Sequence, residues 1–244
     1  MIPVGIVSAL TAEARHLRPA ARHGGRPHVS EDALTELPDG ALLAVSGMGL
    51  EAAASAARTL IARGARALLS FGLAGGLDPQ LGAGTVCLPT EVVSREGERL
   101  ATTPDWREGL AQALAGRCRV SGGTLLSSPV ALDSLGAKAR ALRDTGAASV
   151  DMESLSVGRE AARHGLPFMV VRVIVDTARD TLPEVVSRCA GPGGQVPLPR
   201  LLGALAVRPG ELPAVIRLGG RYRAASRALA AVAGSGSLAP PVAA

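Results

Sequence analysis

The amino-acid sequence predicts an α/β sandwich, in which a buried β-sheet is covered by helices. Short apolar runs rich in Val, Ile and Leu, typical of buried strands, alternate with longer segments of helical periodicity. Glycine-rich turns follow several of these runs, as expected where a strand passes into a helix. A chain of 244 residues is long enough for one such domain with a sizeable core.

The first half of the chain alternates strands and helices. The first apolar run ends at Ser8, and Thr11 stands where the N-cap of a following helix is expected. A polar stretch rich in Gly and Pro over 22–40 predicts at most an irregular hairpin. The predicted elements are a strand over 2–8, a helix from Thr11, a strand over 41–46, a helix over about 50–63 and a strand over 66–71.

The second half continues the alternation. Strands are predicted over 84–93, 119–127 and 167–175, and helices over 105–116, 133–144 and 153–164. Residues 191–213 are rich in Gly and Pro, with a helical stretch near 198–207, and a last helix is predicted over about 213–233. We therefore expect a single domain over 1–233 and a flexible tail over 234–244.

The composition argues against two kinds of binding site. The formal net charge is +5, but Lys138 is the only lysine and the 25 arginines are scattered along the chain. Aromatic residues make up 2% of the chain, so base-stacking surfaces are scarce and no nucleic-acid partner is expected. Cys87, Cys118 and Cys189 are far apart and form no CxxC pair, which predicts reduced thiols and no metal site.

Neither export nor membrane insertion is predicted. No run approaches the roughly 20 uncharged apolar residues that span a bilayer. The first residues, Met-Ile-Pro-Val-Gly-Ile-Val-Ser, lack a basic region before the apolar run, so we expect a first strand there and not a signal peptide. These features predict a cytoplasmic protein without a transmembrane segment, with peripheral membrane contact left open.

Two glycine-rich turns are candidate ligand contacts. Ser46-Gly47-Met48-Gly49 and Gly72-Leu73-Ala74-Gly75-Gly76 each follow a predicted strand. Ligands of α/β sheets sit beyond the carboxyl ends of strands, where glycine lets the backbone approach closely. Tight strand-to-helix turns need glycine as well, so each motif alone leaves both interpretations open. Neither fits the spacing of a dinucleotide-binding turn or a P-loop.

Several charged residues stand at the ends of predicted strands. Glu13 is either a helix N-terminal acid or a site residue, and Asp151 is either a helix cap or a site residue. Arg172 and Asp176 lie in and directly after an intensely apolar strand, where charge without a partner is rare. A structural Arg–Asp pair remains an alternative to a functional role.

Five segments occur in a characteristic order along the chain. They are Gly5-Ile6-Val7-Ser8-Ala9-Leu10 with Glu13, Ser46-Gly47-Met48-Gly49, Gly72-Leu73-Ala74-Gly75-Gly76-Leu77, Ser149-Val150-Asp151-Met152-Glu153-Ser154 and Arg172-Val173-Ile174-Val175-Asp176. Together they resemble the nucleoside phosphorylase family, especially 5′-methylthioadenosine/S-adenosylhomocysteine nucleosidases. The Val-Asp-Met-Glu-Ser motif and Arg-Pro-Gly-Glu-Leu-Pro over 208–213 resemble more closely the hopanoid-associated branch, which acts on adenosylhopane.

The resemblance implies a three-layer sandwich with a central mixed, twisted β-sheet flanked by helices. It also implies cleavage of a purine N-glycosidic bond, with Asp176 as the general acid at the purine. Glu153 would bind the ribose hydroxyls with Met152 packed against the ribose, and Glu13 would activate water. The remaining implied positions are Arg172, Gly47, Gly49 and Gly75 around the nucleophile, and Leu126, Val130 and Ala74 around the purine.

Hydrolysis and phosphorolysis remain alternatives. Phosphorylases of the family resemble one another in an arginine-containing pattern that binds phosphate, whereas Ser70 and Leu73 stand at the corresponding positions here. Glu13 would also repel phosphate, so water is the preferred nucleophile, although the amides of 46–49 leave room for an anion. No cofactor or metal is implied, and phosphate would be a co-substrate only in phosphorolysis.

The sequence also departs from the nucleosidases. Ala131 falls near the position of the aromatic residue that stacks on the purine, so ordinary methylthioadenosine is in doubt as the substrate. The expected substrate is an adenine nucleoside with a large apolar 5′-group, with adenosylhopane as the candidate. Phosphorolysis, methylthioadenosine-type hydrolysis and a non-catalytic nucleoside-binding domain are the alternatives. The resemblance further implies a homodimer.

Overall fold

The computed structural model describes residues 2–18, 34–181, 207, 210, 212–236 and 238–241, which form a mixed β-sheet with helices on both faces. The strands are β1 (Val4–Ser8), β2 (Thr35–Glu36), β3 (Leu42–Val45), β4 (Ala67–Gly76), β5 (Val86–Cys87), β6 (Glu91–Val93), β7 (Arg99–Ala101), β8 (Val120–Ser121), β9 (Thr124–Ser127), β10 (Ser149–Asp151) and β11 (Phe168–Asp176). The helices are α1 (Thr11–Ala14), α2 (Leu50–Ala62), α3 (Pro104–Leu114), α4 (Leu135–Thr145), α5 (Ser154–Arg163) and α6 (Leu212–Ala233).

Strand β4 is the centre of the sheet because it pairs with three other strands. On one side it runs parallel to β11 over most of its length. On the other side its beginning pairs in parallel with β1, and its end pairs antiparallel with β10. Since β1, β3, β4 and β11 run in parallel, their carboxyl ends meet at one edge of the sheet. The antiparallel β10 begins opposite Gly76, the last residue of β4, and runs back along that strand.

The alternation of side chains along β11 shows why the sheet carries helices on both faces. Met169 and Val171 belong to one hydrophobic cluster, which also contains residues of α3 and α6. Phe168 and Val170 belong to the opposite cluster with residues of α2 and α5. Both sets are at most 5% exposed, as the period of two in a strand buried on both faces requires. This confirms the predicted mixed sheet between helical layers.

The structure corrects several predicted boundaries. Strand β4 continues through the glycines of 72–76, whereas the prediction ended this strand at residue 71. The glycines stay in the ladder because β11 and β10 pair with them, although glycine normally weakens a strand. Two predicted strands, 84–93 and 119–127, are each divided into two short strands. Thr11 is the first residue of α1, and Leu10 takes the N-cap position.

Three predictions for the C-terminal part of the chain have different outcomes. The final helix is present as α6, while the predicted helical stretch near 198–207 lies outside the described residues except for residue 207. Within the expected flexible tail, Leu238 is only 8% exposed and belongs to the main core cluster. None of the helices that the structure describes combines the length and the apolar character needed to cross a bilayer.

Two cysteines lie in the described part of the chain and both are free thiols, while Cys189 lies outside it. Burial raises the pKa of the Cys87 thiol to about 11, because the apolar surroundings disfavour the thiolate. This thiol is therefore not a nucleophile at neutral pH.

The contact of α5 with β11 gives a test of core packing. A Cβ added at Gly158 would lie 2.8 Å from Cε1 of Phe168, so we expect Gly158→Ala to lower the free energy of unfolding by about 1–3 kcal/mol. Gly109, within α3, has open space at the same position, so Gly109→Ala should be neutral or stabilise by up to about 1 kcal/mol. Urea denaturation of both variants measures the difference. Equal stability of the two variants would contradict the packing at Gly158.

Candidate active site

A cavity of about 770 Å³ opens where the carboxyl ends of the parallel strands meet. Its walls come from α1 and from the chain after β3, near the ends of β4 and β11, around β10, and before α4. One face of α6 closes a further side. Among the described residues that line it, the charged ones are all acidic: Glu13, Asp151, Glu153 and Asp176.

Glu13 is fixed in the cavity wall by three hydrogen bonds. Its Oε1 accepts from the amide of Leu73 at 2.8 Å, and its Oε2 accepts from the amide of Leu10 at 3.0 Å and from Oγ of Ser8 at 3.1 Å. The residue is 3% exposed. Burial raises the pKa of Glu13, because desolvation outweighs the opposing effects of Arg172 and the three donors.

Arg172 is the buried cation beside this carboxylate. It lies on β11 opposite Gly72, where an added Cβ would come within 2.5 Å of Nη1 of Arg172. Its Nη2 lies 2.7 Å from Oδ2 of Asp151 and 3.3 Å from Oε2 of Glu153, and it also donates to Oγ of Ser70 at 2.9 Å. The guanidinium therefore joins β4, β10 and β11.

Glu153 follows β10, and the antiparallel course of that strand brings it to Arg172. Its Oε1 accepts from the amide of Gly49 at 3.1 Å, and its Oε2 accepts from the amide of Met152 at 3.3 Å. Burial raises the pKa of Glu153, the nearby Asp151 acts in the same direction, and Arg172 opposes both. The carboxylate is thus held from two loops and remains open to the cavity.

Asp176 ends β11 at a shift in its register against β4, where it pairs with Gly75. A Cβ added at Gly75 would lie 3.2 Å from Oδ2 of Asp176, so glycine leaves space for this carboxyl group. Nζ of Lys138, on α4, contacts the same Oδ2 directly. The Asp176 side chain is 17% exposed and faces the cavity, whereas that of Lys138 is 2% exposed.

The remaining walls are largely apolar. Val130 and Ala131 line the cavity from the segment before α4. Tyr222, Leu218 and Val215 line it from α6. Tyr222 is the only tyrosine of the chain, and it places an aromatic ring in the wall although Ala131 cannot.

The structure gathers most of the predicted site residues. Those lining the cavity are Glu13, Ala74, Gly75, Val130, Met152, Glu153 and Asp176. Arg172 does not line it but supports Glu153 from behind. The amide of Gly49 donates a hydrogen bond to Oε1 of Glu153. Met48 lines the cavity, whereas Gly47 and Gly49 do not. Gly49 therefore holds the Glu153 carboxylate from outside the cavity lining.

Leu126 differs from the prediction as well. It is fully buried in a cluster with Leu77 and Val93, and it does not line the cavity. Sequence reasoning overlooked Lys138 and Tyr222 as site residues. Each is the only residue of its type in the chain, which was a usable compositional signal but no motif.

Comparison with known proteins agrees with this architecture. A sequence model of the phosphorylase superfamily matches residues 3–190. The chain is 28% identical to a 5′-methylthioadenosine/S-adenosylhomocysteine nucleosidase of Treponema pallidum, in a match covering 54% of this chain. That match spans 64% of the Treponema protein, less than two thirds of its length.

Solved structures show the same fold. The 5′-methylthioadenosine/S-adenosylhomocysteine nucleosidase of Neisseria meningitidis, in complex with methylthio-immucillin-A, superposes with a TM-score of 0.69 at 18% identity. The superposition covers 96% of this chain and 98% of that one. The futalosine hydrolase of Helicobacter pylori gives a TM-score of 0.61 at 18% identity, over 73% of this chain and 86% of the other.

The buried ion pairs make Arg172 critical for folding. Arg172→Met would leave the carboxylates of Asp151 and Glu153 without their cation, and we expect a loss of about 3–5 kcal/mol in the free energy of unfolding. Arg159→Met is the control, since its pair with Glu98 is 40% and 36% exposed and should cost at most about 1 kcal/mol. Chemical denaturation at pH 7 compares the two. A similar, small loss in both variants would argue against the central role of Arg172.

Proposed function

The chain belongs to the phosphorylase superfamily, and from this premise we propose that it cleaves the bond between ribose and purine in an adenine nucleoside. The observation that carries the proposal is the convergence of Glu13, Glu153 and Asp176 on one cavity. A site that only bound a nucleoside would have no need of three carboxyl groups around one sugar–base linkage. The convergence therefore favours an enzyme over a non-catalytic binding domain.

Asp176 is the proposed general acid. Adenine is a poor leaving group, and a proton on N7 lets the base depart neutral while the sugar develops oxocarbenium character. A positioned acid of this kind contributes about 10²–10⁴ in rate. Asp176 fits the role because its carboxyl group faces the cavity above Gly75, where no side chain intervenes.

Glu153 and Met152 are the proposed ribose contacts. A carboxylate accepts two hydrogen bonds at once, which suits the paired 2′- and 3′-hydroxyl groups of a ribose. The amides of Gly49 and Met152 fix the orientation of the Glu153 carboxylate in the wall. Met152 lines the cavity beside it and offers an apolar surface to the sugar ring.

Water is the proposed nucleophile, with Glu13 as its base. No arginine or lysine lies among the described residues that line the cavity, so a phosphate dianion would meet four carboxyl groups and no cation there. The guanidinium of Arg172 is already engaged by Asp151 and Glu153. Phosphorolysis is the alternative within the same family.

The proposed substrate carries a large apolar group on its 5′-carbon, with adenosylhopane as the candidate. Val215 and Leu218 of α6 give the cavity an apolar wall. Met48 and Val130 also line it and remain 49% and 60% exposed, so apolar surface continues outward from the cavity. The second candidate is 5′-methylthioadenosine, which the similarity to the Treponema nucleosidase favours.

Product analysis tests substrate and nucleophile together. The purified protein is incubated with adenosylhopane or 5′-methylthioadenosine, with and without phosphate, and adenine and sugar products are identified by mass spectrometry. We expect adenine and ribosylhopane at equal rates in both buffers, and a lower kcat/KM for methylthioadenosine. A phosphorylated sugar would replace hydrolysis by phosphorolysis, and a preference for methylthioadenosine would favour the second candidate. No adenine from either compound would refute the proposed function.

The pH dependence tests the role of Glu13. A base acts only in its ionised form, and burial raises the pKa of Glu13. We therefore expect kcat/KM to fall as the pH decreases through a value above that of an ordinary glutamate, and to be retained above it. Glu13→Gln should lower kcat/KM by about 10²–10⁴.

Glu51 supplies the control, since its side chain on α2 is 90% exposed and does not line the cavity. Glu51→Gln should keep both the rate and the pH profile. A Glu13→Gln enzyme with wild-type turnover would exclude Glu13 as the base.

A further inference from the structure

Lys138 is a buried cation without an assigned role. It lies in the first turns of α4, whose N-cap Ser134 accepts a hydrogen bond from the amide of Ala137. It is 1% exposed, although lysine is rarely buried completely unless its charge is compensated. The compensation comes from the Asp176 side chain and from the chain that follows β11.

All three N–H groups of this ammonium have protein acceptors. Nζ of Lys138 contacts Oδ2 of Asp176 and donates to the carbonyl oxygens of Thr177 at 2.8 Å and Asp180 at 3.0 Å. A lysine has three donors, so none is left for a substrate. Any effect of Lys138 on the reaction must therefore pass through Asp176 or through the segment after it.

We propose that Lys138 is a positioning residue, which directs Oδ1 of Asp176 at the base and stabilises the carboxylate that forms when Asp176 gives up its proton. The inference rests on the proposed function. The proton moves from Asp176 to N7 of adenine while the electron pair of the C1′–N9 bond passes to the base. The oxygen of water bonds to C1′, and the proton it loses goes to Glu13.

The negative charge on Asp176 grows during this step, and the ammonium next to Oδ2 stabilises it as it grows. An interaction that strengthens toward the transition state raises kcat, whereas one of equal strength in the bound substrate lowers KM. Because Lys138 has no contact with the substrate in this arrangement, its effect belongs in kcat.

The use of lysine at position 138 indicates that an ammonium group is required there. The chain uses arginine at 25 of its 26 basic positions, and lysine only here. Arginine spreads its donors over a planar fork, whereas three acceptors around a single nitrogen match an ammonium. Two of these acceptors are backbone carbonyls that hold Nζ of Lys138 beside Oδ2, so Lys138 both fixes and neutralises the acid.

The segment after Asp176 has a second anchor, which permits a matched control. The Asp180 carboxylate accepts from the amide of Thr177 at 2.9 Å and forms an ion pair with Arg221 of α6 at 2.5 Å. Arg221→Met loosens the segment without touching Asp176. Lys138→Met removes the cation from Asp176 while keeping much of the side-chain volume.

The test measures kcat and KM for adenine release by wild type, Lys138→Met, Lys138→Arg and Arg221→Met, after thermal denaturation has shown which variants fold. We expect Lys138→Met to lower kcat by about 10²-fold, as for the loss of one transition-state donor, with KM near the wild-type value. The kcat of Lys138→Arg should lie between those of the wild type and Lys138→Met, and Arg221→Met should keep the wild-type kcat. If Lys138→Met does not fold, the kcat and KM of Lys138→Arg decide.

A second substrate distinguishes a loss of acid catalysis from general damage to the enzyme. 4-Nitrophenyl riboside releases a phenolate that needs no proton, so Lys138→Met should cleave it at the wild-type rate. Equal losses on both substrates, a loss confined to KM, or an equal loss in Arg221→Met would overturn the role of Lys138. Release of adenine by the wild-type enzyme tests the proposed function. The ratio of variant to wild-type kcat tests the role of Lys138.

Discussion

The site depends on one buried guanidinium. Arg172 is 1% exposed and faces the carboxylates of Asp151 and Glu153, with Glu13 close by. Since a buried charge without its partner costs several kcal/mol, the strand ends that carry these groups must stay together. Gly72 makes the arrangement possible, because any side chain on β4 at that point would occupy the space of the arginine. The fold and the site therefore both depend on the buried guanidinium of Arg172 and its carboxylate partners.

The charge balance divides the cavity into two parts. Around Arg172, three carboxyl groups share one cation, and burial raises the pKa of both Glu13 and Glu153. Asp176 has its own cation in Lys138, which comes from a different helix. A change of charge at Glu13 or Glu153 is therefore compensated separately from a change at Asp176. Separate compensation of these charges suits the proposed reaction, in which Glu13 gains a proton as Asp176 loses one.

The sequence predicted strands at β1, β3, β4 and β11, but it predicted neither β10, which carries Asp151, nor the contacts between the strands. Glu13 and Asp176 were candidates because they are acids near the ends of apolar strands, and the resemblance to the nucleoside phosphorylase family supplied their expected roles. Leu126 was misplaced because its nearness in sequence to Val130 says nothing about the face of β9 on which it lies, and that face packs against α4. Lys138 could not be connected to Asp176, since no local pattern specifies a contact across 38 positions of the chain.

Helix α6 contributes both to the hydrophobic core and to the wall of the cavity. Its second half packs into the core through Ala225 and Leu229. Its first half lines the cavity through Val215 and Leu218. One amphipathic pattern serves both purposes, so periodicity alone could not distinguish them. Because the carboxyl groups proposed for catalysis all lie outside α6, substitutions at Val215 and Leu218 can change the wall of the cavity without disturbing those carboxyl groups.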